Sequence, residues 1–416
     1  MNKQNVKSNY IWNAVGSCCN AASTVVLLLI TTRVVGEFFG GLLTIALALA
    51  QQMLTVSSFE TGTYYVTDGN NKVDLSTHLS AKLLLVLVSV IAAVTVSSVQ
   101  YNFYKATCVI IVCIYKIFDG LSALFFSILQ KNDRLDIAGK SLTYRTIAVV
   151  TATFISQFTC KSLGISGKTS FLISIIAMAV VSVVLIFTYE LHFVKKYAKL
   201  FFSLKIKNIF SLIIDCAPMF LGTFILTYIC NQPKYVIDKM FSEEVQNSFG
   251  IIFIPSSVIC MLGFFVYKPL LVPMTENFTN GEIGRFVKTT LRITLIILGI
   301  TVLCIAGAYL LGIPVLSFIY HIDLSAYKTA LCIGISGGGM YAISMLLYNI
   351  ISIMRRQKIM LVAYIVSFLI SLTITKPMTK AYNVNGATLS YLLVNFILAI
   401  MLSFIVFVYI KKKKHK

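Results

Sequence analysis

A few charged residues lie inside long apolar stretches of this chain, where ionisable side chains are rare. Lys116 and Asp119 are three residues apart in one such stretch, and Glu60 and Asp215 lie in two others. A lysine and an aspartate at this spacing share one helix face and can pair. Ionisable residues at this depth typically bind a charged ligand, carry an exchangeable ion or form a structural ion pair. All three interpretations stay open at the level of sequence.

Other basic residues lie near the ends of apolar stretches. Arg33, Arg145 and Lys268 occupy such positions. A long basic side chain near the end of a membrane span can extend its charged head to the membrane surface, which needs no ligand. For these residues, surface anchoring and ligand binding are both open.

Polar residues recur at helical spacing in three of the apolar stretches. The sets are Asn9, Asn13, Ser17, Asn20 and Thr24; Gln51, Thr55, Ser58 and Gly62; and Ser211, Asp215, Pro218 and Gly222. Residues three or four apart lie on one face of a helix. Because amides that face lipid are costly, we expect these stripes to face protein or water. They predict interhelical hydrogen bonds or a water-filled cavity, and their place on helices that begin each half favours the cavity.

The sequence lacks the motifs of nucleotide, metal or nucleophilic chemistry. There is no GxxxxGK[ST] motif, which excludes a built-in ATPase of that type. The ten cysteines and four histidines form no CxxC pair and no cluster with metal-ligand spacing. The longest polar stretch, near 192–207, is too short to hold a catalytic site. We therefore predict no enzymatic activity, no catalytic residues, no metal ligands and no cofactor.

The apolar stretches themselves predict an all-α integral membrane protein. The chain is 58% hydrophobic with a mean hydropathy of +0.87, more apolar surface than 416 residues can bury in water. About twelve stretches are long enough to cross a bilayer: 9–32, 42–66, 79–99, 104–129, 141–160, 169–191, 208–232, 248–272, 289–312, 326–352, 359–376 and 386–410. They predict two six-helix lobes around a central cavity, an N-terminal lobe over 1–200 and a C-terminal lobe over 201–416.

Proline and glycine are distributed unevenly between these halves. All seven prolines lie in the second half, and Gly337, Gly338 and Gly339 follow one another in the tenth stretch. Proline removes a helix hydrogen bond, so this pattern predicts more deformable helices in the second half. Adaptation of the helices to close packing is the equal alternative.

Basic residues predict the orientation of the chain. The net charge is +20, and most Lys and Arg residues fall in or at the edges of alternate gaps between the stretches. Lys82, at the start of the third stretch, and the closing KKKKHK run are counted with the inner gaps. Basic gaps face the cytoplasm, so both termini are expected there. The closing run is expected to lie beside anionic lipid, and not on nucleic acid. The first stretch is too long for a cleavable signal and is expected to remain as a helix.

Two segments of the chain carry a distinctive set of residues. In the first, an Asn and a Trp precede a polar first helix that ends in Arg and is followed by Gly, an acidic residue and Gly: Asn9, Trp12, Asn13, Arg33, Gly36, Glu37 and Gly40. In the second, a polar helix end leads through a short acidic loop to a helix with Gly and Pro: Lys234, Asp238, Glu243, Glu244, Gly250 and Pro255. Both segments resemble those of Wzx-type polysaccharide flippases.

This resemblance implies the fold of the multidrug/oligosaccharidyl-lipid/polysaccharide exporter superfamily. It implies a flippase in the bacterial inner (plasma) membrane that moves an undecaprenyl-pyrophosphate-linked oligosaccharide outward for O-antigen or capsule synthesis. A cationic cavity of that family would use Lys116, Arg145, Lys268 and Arg33 here, and Asn13, Asn20 and Gln51 would bind sugar hydroxyls. Glu60, Asp119 or Asp215 would carry a coupling ion, H⁺ or Na⁺. Expected partners are membrane lipid, a polysaccharide polymerase and glycosyltransferases.

Two other functions are compatible with the same sequence. A drug or cation antiporter of the superfamily would need acidic residues deep in its cavity without basic partners, and the mixed Lys116/Asp119 pair argues against it. A membrane enzyme acting on lipid-linked sugar would need a sizeable polar loop, and the loops here are short.

Overall fold

The computed structural model describes residues 3–68, 73–203, 205–354 and 356–414, and every regular element in these ranges is helical. The predicted all-α membrane architecture is confirmed. The elements are α1 (Lys3–Val34), α2 (Glu37–Ser58), α3 (Thr61–Thr67), α4 (Leu75–Gln100), α5 (Phe103–Lys131), α6 (Leu135–Ser162), α7 (Gly167–Leu185), α8 (Leu191–Tyr197), α9 (Ile206–Met240), α10 (Glu243–Tyr267), α11 (Leu271–Thr279), α12 (Ile283–Gly307), α13 (Ile313–Tyr320), α14 (Lys328–Ile353) and α15 (Gln357–Lys414).

Within the described ranges, 10 helical segments are apolar and long enough to cross a membrane. The segment Ile359–Lys411 contains two of the predicted spans, because the backbone leaves the helical region at Tyr382 and Asn383. The α6 helix is a further span in length but carries Lys140 and Arg145 and does not meet the same criterion. The described chain therefore has ten such segments where the sequence predicts about twelve spans, because two predicted spans share one segment and α6 is less apolar.

One predicted span is interrupted in the structure. The stretch 42–66 was expected to form one helix, but α2 ends at Ser58 and α3 begins at Thr61. Phe59 and Glu60, at φ values of 44° and 54°, both adopt the left-handed conformation that non-glycine residues seldom adopt. The polar stripe expected along this stretch is therefore broken before Gly62, which packs against Ser127 of α5.

The contacts divide the chain into two compact units, Met1–Thr227 and Tyr228–Lys416. In the first unit, α5 lies at the centre and packs against α2, α3, α4, α6 and α7. Its buried face carries Val109, Val112, Ile117, Leu124 and Ile128 at full burial. The division of the spans into lobes at 200/201 stays a prediction.

A second close packing in the first unit joins α1 to α6. Gly16 of α1 and Gly139 of α6 face each other, and a Cβ on Gly16 would lie 2.7 Å from the Gly139 carbonyl oxygen. Asn9 completes this contact, because its side chain donates to the Asp133 carbonyl at 2.9 Å and accepts from the Asp136 amide at 2.8 Å. This asparagine of the flippase-like segment therefore fixes the start of α1 to the turn before α6.

The second unit is organised around α14. The three successive glycines of this helix point in three directions, because a helix turns about 100° per residue. Gly337 faces Tyr391 of α15, Gly338 faces Ser256 of α10, and Gly339 faces Thr301 of α12, each too closely for a side chain. The glycine run thus allows three neighbours to approach one central helix, which supports the packing alternative over deformability.

Both units use the same packing scheme. In the first, the second, third and fourth spans (α2, α4 and α5) contact one another in all three pairs. In the second, the corresponding spans of their half (α10, α12 and α14) do the same. The fourth span is the central helix in each unit, as expected for a chain built from two parallel structural repeats.

Candidate functional site

The break between α2 and α3 is stabilised by a buried lysine. Lys82 of α4 is fully buried, and its Nζ donates to the carbonyl oxygens of Ser57 at 3.0 Å and Ser58 at 2.7 Å. These are carbonyls at the end of α2, which have no partner within the helix. The sequence assigned Lys82 to an inner loop. That assignment is wrong, because Lys82 is needed inside the bundle to cap an interrupted helix.

Glu60, a predicted ion carrier, lies at this break. Its two carboxylate oxygens accept hydrogen bonds from Thr63 at 2.7 Å and from Thr223 of α9 at 3.0 Å. Asp215, also on α9, accepts from the Tyr64 hydroxyl at 3.5 Å and is exposed at the surface of its unit. The structure therefore brings Glu60 and Asp215 to one polar region between α3 and α9, and neither forms an ion pair within the described residues.

A second polar region lies among α5, α6 and the turn after α7. The predicted pair is confirmed, since Lys116 Nζ lies 3.0 Å from Asp119 Oδ2. Arg145 Nη2 lies 3.2 Å from the other oxygen of Asp119, and Arg145 Nη1 lies 3.3 Å from Glu190 Oε1. Ser141 donates to the same Glu190 oxygen at 2.9 Å. We call Lys116, Asp119, Arg145 and Glu190 the charge network.

The charge network contains two cations and two carboxylates, so its formal charges cancel. The Lys116 and Asp119 side chains, at one end, are 10% and 12% exposed, whereas Arg145 is 6% exposed and Glu190, at the other end, is 0% exposed. Two residues predicted to bind substrate, Lys116 and Arg145, are thus held by carboxylates, and the predicted ion carrier Asp119 is one of them. The roles predicted for these three residues stay predictions.

Glu190 was not selected from the sequence as a functional residue. It lies in a five-residue π-helical turn, Ile186–Glu190, between α7 and α8. Such turns insert an extra residue into a helix and are frequent at functional sites. The signal that could have identified it is a single acidic residue at the end of the apolar stretch 169–191.

The remaining predicted residues lie apart from the charge network. On α1, Asn13 and Asn20 are half-buried, and their side-chain amides form no hydrogen bond within the described residues. Gln51 is exposed, whereas its neighbour Gln52 is buried and donates to the Phe224 carbonyl at 3.1 Å. Arg33, at the end of α1, is exposed, as is Lys268, which lies over the Phe264 ring at 4.6 Å. The site assignments of these residues also stay predictions.

The arrangement of helices in this chain is similar to that of several solved structures. The lipid II flippase MurJ in an inward closed conformation aligns with a TM-score of 0.69 and 16% identity, over 94% of this chain and 87% of that one. An inward-facing multidrug resistance MATE family transporter of the MOP superfamily aligns at 0.67 and 10% identity, over 95% and 96%. The chain has the fold of MOP superfamily transporters.

A MOP superfamily transporter from Pyrococcus furiosus has the same fold at a TM-score of 0.54 and 14% identity, over 99% of this chain and 96% of that one. No protein-family profile and no curated protein sequence matches the chain. At 10%, 14% and 16% sequence identity, the similarity to MOP superfamily proteins shows a shared fold. The proteins in these structures are transporters and flippases, among them a lipid II flippase and a multidrug resistance transporter.

Proposed function

We propose that this MOP-fold chain is a flippase for an undecaprenyl-pyrophosphate-linked oligosaccharide. It would move the repeat unit from the inner to the outer leaflet of the bacterial cell membrane for surface polysaccharide synthesis, with a polymerase and glycosyltransferases as partners. The two segments that resemble Wzx-type flippases support this cargo, and so does the likeness in fold to the lipid II flippase MurJ.

The observation that carries the proposal is the charge network. A transporter of cationic drugs needs a carboxylate without a basic partner in its cavity. Here Asp119 and Glu190 are both paired with cations at 3.0–3.3 Å. Lys116 and Arg145 of the network are donors of the charge-assisted hydrogen bonds that a pyrophosphate accepts.

The physical demands of this cargo fit the polar side chains of the first unit. Sugar and pyrophosphate need a hydrated path, whereas the isoprenoid tail remains in lipid. Asn13, Asn20 and Gln51 offer amides for exchangeable hydrogen bonds with sugar hydroxyls, and Arg33 offers an exposed cation. In the second unit, Lys268 is a further exposed cation. The membrane potential assists export, since moving one negative charge outward through 100 mV releases about 2.3 kcal/mol.

The second candidate is a drug or cation antiporter, and one observation favours it. Glu60 and Asp215 bind hydroxyl groups and no cation within the described residues. They are the carboxylates that such an antiporter would use for a cationic cargo. In a flippase the same two residues would instead carry the coupling ion, H⁺ or Na⁺.

The experiment reconstitutes the purified chain in liposomes that contain fluorescent undecaprenyl-pyrophosphate oligosaccharide in both leaflets. An impermeant quencher added outside removes the outer-leaflet signal, and continued loss reports movement between leaflets. We expect loss beyond half of the signal with the chain and a stable half without it. A parallel assay measures uptake of a cationic dye by the same liposomes.

Each outcome selects one function. Movement of the lipid without dye transport supports the flippase. Dye transport without movement of the lipid replaces it with the antiporter. Appearance of polymerised or ligated sugar in the liposomes would instead indicate a membrane enzyme that acts on lipid-linked sugar.

A further inference from the structure

We infer that Glu190 is a proton-binding residue that controls whether Arg145 is available to the anionic group of the cargo. The inference rests on the proposed function and deepens it, because it gives one network both the ion-coupling and the anion-binding role. Glu190 belongs neither to the two flippase-like segments nor to the site residues predicted from the sequence.

The first observation is an incomplete set of hydrogen bonds at Glu190. Its Oε1 accepts from Ser141 and faces Arg145, but its Oε2 is buried and has no hydrogen-bond partner within the described residues. An ionised carboxylate oxygen that lacks both water and a donor is strongly disfavoured. A proton on Oε2 removes that unfavourable charge. The geometry therefore supplies a specific atom for proton uptake.

The second observation is the contact between Arg145 and Glu190. Arg145 Nη1 is 3.3 Å from Glu190 Oε1 but outside hydrogen-bonding geometry, and Nη1 itself is buried without a hydrogen-bond partner. The pair therefore depends mainly on charge. Once Glu190 is neutral, that attraction is lost, while the guanidinium keeps its contact with Asp119 at 3.2 Å.

The charge balance explains how a proton would create an anion site. With Glu190 ionised, the network sums to zero. With Glu190 protonated, Lys116, Asp119 and Arg145 sum to +1. This positive charge lies toward the more exposed end of the network, since Lys116 and Asp119 are 10% and 12% exposed and Glu190 is fully buried. The proton and the anion would thus occupy opposite ends.

The other groups around Glu190 allow this assignment. Glu190 faces Arg145, which lies on α6. Beyond Arg145, α5 contributes Asp119, Lys116 and Tyr115, whose ring lies 4.7 Å from the lysine Nζ. Within the described residues, α7 and α8 add no charged group to the network. Asp119 and Glu190 each have one buried oxygen without a hydrogen bond within the described residues, but Asp119 lies beside two cations, whereas Glu190 has Arg145 as its single cationic neighbour.

The sole tryptophan gives a reporter beside the network. The Trp12 and Tyr144 rings lie 6.5 Å apart, and the Tyr144 and Tyr189 rings lie 5.9 Å apart. Tyr144 and Tyr189 directly precede Arg145 and Glu190 in the chain. A change in how these two helical segments meet is expected to alter Trp12 fluorescence.

The test measures binding of the symmetrical dimethyl ester of pyrophosphate to the purified full chain by calorimetry from pH 5 to pH 8, with Trp12 fluorescence as a second signal. The charge of this ester stays constant over this range, as in the esterified cargo. Glu190→Gln imitates the protonated carboxylate. We expect it to bind the ester about tenfold more tightly than the unmodified chain at pH 8, with little pH dependence, because one negative charge has left the site. The unmodified chain should gain affinity as the pH falls.

Asp215→Asn is the matched control, since it removes one carboxylate charge from the same unit outside the network. The double variant Arg145→Met/Glu190→Gln removes the proposed anion ligand while leaving Lys116 and Asp119 paired, which protects folding. It should bind about as weakly as the unmodified chain at pH 8. Equal tightening by Asp215→Asn and Glu190→Gln would reduce the effect to general electrostatics and overturn the inference.

Two further outcomes separate this inference from the proposed function. Tight, pH-independent binding by the unmodified chain would overturn the control by Glu190 and keep an anionic cargo. No binding of the ester by any variant would also overturn it, and the liposome assay would then decide the function independently.

Discussion

The most direct structural prediction concerns Lys82, the buried lysine that caps α2. We expect Lys82→Met to destabilise the first unit, because methionine retains the apolar stem but cannot donate a hydrogen bond. The change leaves the carbonyl oxygens of Ser57 and Ser58, now bonded at 3.0 and 2.7 Å, buried without these donors.

The magnitude follows from the two lost bonds. The Ser57 carbonyl loses its side-chain donor, which costs about 1–3 kcal/mol, whereas the Ser58 carbonyl keeps a bond from Thr61 Oγ1 at 3.1 Å and loses about 0.5–1.5 kcal/mol. Removing the buried ammonium returns part of this, since its desolvation was unfavourable. We therefore expect a loss of about 1–3 kcal/mol in the free energy of unfolding. For a unit of this size that corresponds to a fall in Tm of about 2–12 °C.

Lys131 supplies a matched comparison in the same region. It donates to the carbonyls of Tyr65, in α3, and of Asp68, directly after α3, both at 3.2 Å, but it is only half-buried. Water can replace its hydrogen bonds, so Lys131→Met should cost about 1 kcal/mol or less. Thermal unfolding of both purified variants, followed by helical circular dichroism, checks the difference. Equal, small shifts in Tm would show that Lys82 does not hold the α2 end.

Two further predictions concern the contact between α1 and α6. Gly139→Ala should lower the free energy of unfolding by about 1–3 kcal/mol, because the added Cβ would overlap the Trp12 carbonyl group. Gly299→Ala is the control. A Cβ there has no neighbour within 4 Å, so its Tm should be unchanged or slightly raised. Asn9→Ala should lower the free energy of unfolding by about 1–3 kcal/mol, because the hydrogen bonds to Asp133 and Asp136 are lost. Asn13→Ala is the control and should leave the free energy of unfolding unchanged, because the Asn13 amide forms no hydrogen bond within the described residues. The same thermal assay tests both, and an unchanged Tm for Gly139→Ala or Asn9→Ala would contradict the corresponding contact.

The sequence predicts features that depend on local composition or on spacing along one helix. The spans follow from runs of apolar residues, and the pair Lys116/Asp119 follows from a separation of three residues in a helix. Such features need no knowledge of which helices become neighbours. The interruption at Phe59 and Glu60 is local too, but neither residue is a helix breaker, so no propensity indicates it.

Features that join distant segments could not be obtained in this way. Lys82 caps carbonyls 24 and 25 residues earlier, and Arg145 meets Glu190 45 residues later in the chain. Gly337, Gly338 and Gly339 suggested flexibility because glycine weakens an isolated helix. Only the position of α14 at the centre of its unit shows that each glycine admits a different neighbour.

The two polar regions of the first unit differ in a way that bears on coupling. At the break between α2 and α3, the cation Lys82 donates to backbone carbonyls, and Glu60 and Asp215 accept hydrogen bonds from hydroxyl groups. In the charge network, the cations are committed to carboxylates, so uptake of one proton is enough to produce net positive charge. The first arrangement suits binding of a cation, and the second suits an anion that arrives with a proton.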